Sequence, residues 1–113
     1  MLRRCFVFLL LAACSGPPQS DLQYIKQARS LAAEWALVNE QAADHRVTPT
    51  YAASLHRWLS DGLRTAARSL SEPNSPYGRE IRALQAEPAD APSQALRAHA
   101  DALKQIEDQL ESA

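Results

Sequence analysis

The side chains with the widest chemical range in this 113-residue sequence are three histidines and two cysteines. The histidines are His45, His56 and His99. None has a second histidine or a cysteine at the helical spacing that would offer two ligands to one metal ion. The cysteines, Cys5 and Cys14, both lie in the first fifteen residues and form no Cys-x-x-Cys pair, so neither a redox motif nor a haem-attachment motif is present. There is no Gly-x-Ser-x-Gly elbow to hold a nucleophile and no Gly-rich loop to cradle a phosphate. The inventory predicts a protein that is not an enzyme and needs no metal or cofactor.

His45 and His99 fall on apolar helix seams, which leaves two readings. One is a ligand-binding or pH-sensitive site between helices. In the other, His45 closes a helix, where a cation is favourable, and His99 is half-buried with a local partner such as Asp101 or Gln94. The second is the expectation. Asp44 precedes His45 but points elsewhere on a helix, so the two make no dyad. Trp35 and Trp58 are the remaining candidates, since tryptophan is favoured at interface hot spots. Trp35 sits on a seam and reads as core. Trp58 and Tyr51 lie beside the main stripe of their helix and are the candidate partner-binding residues.

The elements that must position these residues begin with the N-terminal stretch. Arg3 and Arg4 precede the apolar run Cys5-Phe6-Val7-Phe8-Leu9-Leu10-Leu11-Ala12-Ala13, and Cys14-Ser15-Gly16-Pro17-Pro18 follows it. A short apolar run between positive charge and small residues is the layout of a secretory signal peptide. Crossing the hydrocarbon core as a helix takes about 20 apolar residues, more than this run supplies. Leu11-Ala12-Ala13-Cys14 resembles the lipobox of bacterial lipoproteins. The resemblance covers roughly the first fifteen residues. It implies that the Cys14 thiol receives a diacylglycerol, that the chain is cut between Ala13 and Cys14, and that the new amino group is acylated. It further implies a bacterial envelope protein, and Ser15, where aspartate would favour inner-membrane retention, points to the outer membrane facing the periplasm. Two or three acyl chains would hold such a protein firmly, whereas one holds it only marginally.

The division that follows is a signal peptide over 1–13, a lipidated tether over 14–20 and one domain over 21–113. With Arg3 and Arg4 removed from 12 basic residues, 10 remain against 13 acidic, a formal charge of −3. No basic block stands out along the sequence, so nucleic acid is not expected as a partner, nor are anionic headgroups expected to be held by a charge run. Cys14 is then the sole mature cysteine, so no disulfide is available. The tether's prolines favour an extended form.

Beyond the tether, every stretch has helical periodicity and none alternates as a strand does. Asp21 to about His45 carries Tyr24, Ala28, Leu31, Trp35, Val38, Ala42 and His45 at a/d spacing, with Ser20 or Asp21 as its cap. Thr48-Pro49 opens a second helix to about Leu70, with Ala52, Leu55, Leu59, Leu63, Ala66 and Leu70 as its stripe. Arg57 and Asp61 on its other side are spaced as an exposed ion pair. Gly62 marks a weak spot or a close approach. The short turn makes these helices antiparallel neighbours, setting Val38 beside Leu55, Leu31 beside Leu63 and Ala28 beside Ala66. Ser75-Pro76 opens a short helix to about Ala86, with Tyr77, Ile81 and Leu84 on one side. A last helix runs from about Pro92 to Glu111, with Leu96, His99, Leu103, Ile106 and Leu110 as its seam. The expected fold is all-α: a small antiparallel bundle of three long helices, with the short helix as a connector across one end.

The expected function is that of a membrane-anchored interaction or structural module that binds another envelope protein. The alternative is a carrier or sensor of a small apolar ligand held between helices.

Overall fold

The computed structural model of the chain describes residues 17–113. Among these the protein is all-helical. Four helices, α1 (Leu22–Ala43), α2 (Pro49–Ser69), α3 (Pro76–Gln85) and α4 (Ser93–Ser112), follow a single helical turn at Pro17–Ser20. That turn replaces the extended tether expected there. It is held in place by Gln19, whose side-chain amide donates to the Leu110 carbonyl at 2.9 Å.

Local chemistry sets the starts of α2 and α3. Thr48 and Ser75 are in extended conformation, and their hydroxyls accept from the N–H of Tyr51 and Gly78, with Pro49 and Pro76 in the first turn. At the end of α1 the His45 N–H returns to Ala42 and the Arg46 N–H to Gln41. These two bonds make a Schellman motif, and His45 takes its left-handed position at φ 58°.

The helices run up, down, up and down. α1 and α3 each pack against both α2 and α4, while α2 and α4 lie across the diagonal from each other. The short helix therefore does not lie across one end. Tyr77, near its start, bonds to Asp21 at the head of α1, and Ala89, beyond its end, bonds to Trp35 and Asn39. α3 and its following loop thus run lengthwise, alongside α1.

The central position of α1 widens its buried arc beyond one seam. Ala28, Leu31 and Trp35 are buried as the a/d pattern predicts, but so are Ile25, Ala32 and Ala36, while Tyr24, Val38 and Ala42 are only half-buried and His45 is exposed. Three ion pairs mark the register of α1 on α4: Lys26 with Glu111 at 3.1 Å, Arg29 with Glu107 at 3.0 Å, and Glu40 with Arg97 at 2.7 Å. Moving up α1 moves down α4 by nearly the same number of residues, as antiparallel helices require. Glu107 is buried, and its charge is answered from both sides by Arg29 and Lys104.

The α1–α2 hairpin places Gly62 against Leu31 and His56 against Trp35, close to the register expected. Leu31 and Leu63 are both in the core, Ala28 and Ala66 are fully buried, and Val38 and Leu55 are both half-buried at the periphery. Gly62 is a place of close approach, since a Cβ there would stand 2.9 Å from the Leu31 Cδ1. Asp61 pairs with Arg64 at 3.2 Å rather than with Arg57, which donates instead to Ser54.

Candidate functional site

The most heavily bonded polar group is structural. Asp21 stands at the head of α1 but does not cap it with its side chain. Its carboxylate is buried and reaches across the fold. One oxygen accepts from the Ser71 N–H and hydroxyl, both at 2.8 Å; the other accepts from the Glu72 N–H at 3.1 Å and the Tyr77 hydroxyl at 2.7 Å. Burial by itself would raise the Asp21 pKa. The bonds from Ser71, Tyr77 and Glu72 outweigh it and hold the carboxyl below its ordinary range. Burial first, and donation to Asp21 second, push Tyr77 up to about 12. One acid thereby joins the head of α1, the α2–α3 turn and α3.

The histidines do not converge. His45 is exposed at the end of α1. His56 lies edge-on to Trp35, with ring centroids 5.1 Å apart, and its Nε2 is buried without a hydrogen-bond partner among the described residues. His99 faces α3 rather than the neighbours expected on its own helix. Its Nδ1 is 3.2 Å from Glu80, and its Nε2 is 3.4 Å from Glu87. The partners are therefore not Asp101 or Gln94, because the seam of α4 turns toward α3 and not along its own axis. Among the described residues no cluster of histidine, cysteine, aspartate or glutamate has the geometry of a metal site.

The two tryptophans divide as their positions predict. Trp35 is buried, and its indole N–H donates to the Ala89 carbonyl at 3.0 Å. Trp58 is 59% exposed and Tyr51, two turns earlier on the same face of α2, is 54% exposed. Leu37 on α1 is 51% exposed, a third large apolar surface residue that the seam pattern does not single out. Trp58 borders a shallow groove between α1 and α2, shared with Ser30, Glu34, Asp61 and Gly62. Gly62 permits the groove, since it lets α2 approach Leu31. The groove can present an aromatic face with carboxylates on either side.

Compared with known proteins, the chain matches no family model, no curated protein and no solved structure. The lipobox residues Ala13 and Cys14 lie outside the described residues. Among the described residues no helix is long and apolar enough to cross a membrane.

Proposed function

We propose that the chain is a non-enzymatic lipoprotein of the bacterial envelope, held by lipid on Cys14 at the periplasmic face of the outer membrane, and that it binds another envelope protein through the Trp58–Tyr51 face of α2. The observation that carries the binding face is the contrast between the two tryptophans. Trp35 is consumed by the core, whereas Trp58 leaves most of its ring in solvent two turns above an equally exposed Tyr51. A bundle gains nothing in stability from that exposure, and aromatic side chains of this kind are the usual anchors of a protein interface. The anchor reading is supported by the sequence of residues 3–15, and by the short distance it leaves: only Ser15 and Gly16 separate Cys14 from the helical turn at Pro17–Ser20.

The alternative, an apolar-ligand carrier, would use the trough between the α1–α2 tip and the Ala89–Asp90 loop, which Ala42, Ala52 and Ala53 line. That trough opens to solvent, whereas a small-molecule site encloses most of its ligand, so the partner reading is preferred.

A photoreactive amino acid in place of Trp58, in intact cells, tests the face. The expected result is one discrete cross-linked species, repeated from position 51 and missing when the group is placed at exposed Gln105 on α4. Equal yields from all three positions, or none from 58 and 51, would refute the binding face.

A further inference from the structure

Along the sequence the arginines are dispersed, but the fold gathers some of them. The groove between α2 and α3 is lined by Arg64 and Arg68 from one helix and Arg82 from the other, over a floor that includes Ala67, Leu70 and Pro73. Among the described residues no carboxylate lines it. Arg64 is shared with Asp61, and Arg82 donates to the Pro73 carbonyl, while Arg68 has no partner among the described residues. Arg79, on the next turn of α3, donates to the Asn74 carbonyl. Gly78 keeps the groove narrow, because its backbone lies against the Pro73 carbonyl, which a Cβ would meet at 2.2 Å. Guanidinium groups over an apolar floor match an anionic phosphate that is joined to an apolar body, since each fork can bond two phosphate oxygens.

Position selects the occupant. The groove ends at the α2–α3 turn, where the Ser71 and Glu72 N–H groups bond to Asp21. Asp21 follows Cys14 by only seven residues, four of which form the Pro17–Ser20 turn. At about 3.5 Å per extended residue and 1.5 Å per helical one, less than about 20 Å of chain separates the groove's end from the anchor. We propose that the α2–α3 groove binds the anionic phospholipid headgroups of the membrane to which Cys14 anchors the chain. The proposal rests on the lipid-anchor reading for its geometry. It sets the domain with α3 toward the bilayer at its anchored end and carries Tyr51, at the far end of α2, away from the surface.

The test uses the protein purified from its membrane and placed in nanodiscs of neutral phosphatidylcholine, or of the same lipid mixed with phosphatidylglycerol. Amide hydrogen exchange over residues 70–79 is the readout. The expected result is severalfold slower exchange in the anionic discs, abolished by high salt. Each removed arginine should weaken the headgroup contact about fivefold. Arg82→Gln also frees the Pro73 carbonyl and could loosen the turn, so Arg68→Gln is the deciding variant, with Arg57→Gln outside the groove as control. Equal exchange in the two discs, or slowing that survives Arg68→Gln, would overturn the proposal. Slowing produced equally by inorganic phosphate in neutral discs would also overturn it, since the groove would then serve a free anion. Intact mass separates the two failures. A chain without lipid sinks the anchor reading, and flotation of that full chain with vesicles of the two compositions then decides the groove: binding to anionic vesicles alone, weakened by Arg68→Gln, upholds it, and binding to neither refutes it.

Discussion

Asp21 has the largest consequences of any single residue. Its four hydrogen bonds join segments 50 or more positions apart, and hydrogen bonds to a charged group contribute about 1.5–3 kcal/mol each. Asp21→Ala leaves the buried Tyr77 hydroxyl and the part-buried Ser71 and Glu72 N–H groups without their acceptor, and should cost more in urea unfolding than the loss of any one of these bonds. Tyr77→Phe should cost about 1.5–3 kcal/mol. The pH dependence has a definite sign. Folding lowers the Asp21 pKa, so its stabilisation is complete above the ordinary value of 3.8 and is lost as pH falls through the lower folded value. Tyr77 is shifted the other way, so its stabilisation is complete below the ordinary 10.0 and is lost as pH rises toward about 12. Unfolding midpoints across pH should therefore fall at both extremes, and Asp21→Asn should flatten the acid limb. An acid limb unchanged by Asp21→Asn would remove the carboxylate from its central role. At His45 the left-handed conformation costs a side chain what glycine avoids, so His45→Gly should raise stability by about 0.5–1 kcal/mol, visible as a higher Tm.

Helix starts and the hairpin register are legible in the sequence because short-range chemistry fixes them. Thr48-Pro49 and Ser75-Pro76 each carry a cap and a preset φ, and both act as caps in the fold. The short turn after α1 makes the two helices antiparallel neighbours, and Leu31 does lie against α2 at Gly62, one residue from Leu63. What depends on a third element could not be read the same way. Asp21 looks like a cap for α1 because nothing nearby in sequence shows that Ser71, Glu72 and Tyr77 will surround it. Ile25, Ala32 and Ala36 look peripheral until α4 is known to lie on that side of α1. His99 finds Glu80 and Glu87, and Arg82 joins Arg64 and Arg68, only because α3 runs lengthwise. Glycines separate two kinds of contact between elements. At Gly78 an added Cβ would meet the Pro73 backbone, which cannot give way, so Gly78→Ala should destabilise by about 1–3 kcal/mol despite the better helix propensity. At Gly62 the added Cβ meets the end of a leucine side chain, and Gly62→Ala should change stability by less. Thermal melts of the two variants compare them directly, and equal losses would place Gly62 against something more rigid than Leu31.

At the scale of the whole molecule the features sort along the bundle axis. The head of α1, the end of α4 and the α2–α3 turn share one end, tied by Gln19 to Leu110 and by Asp21 to Ser71. That end is a few residues from Cys14 in sequence and carries the arginine groove. Tyr51 is at the opposite end of α2, with Trp58 two turns nearer the α2–α3 turn. Between the two ends lies the core, where Leu63 is 1% exposed, so Leu63→Ala should cost about 2–5 kcal/mol, enough to threaten a domain of this size. The proposed anchoring depends above all on Cys14. Intact mass and cell fractionation of the native chain and of Cys14→Ser measure that dependence most directly. The native protein should be membrane-bound, with a mass that begins at Cys14 and includes a diacylglycerol, and the variant should leave the membrane fraction without that addition. A native mass that retains Met1 and carries no lipid, or a Cys14→Ser protein that stays membrane-bound at unchanged mass, would contradict it.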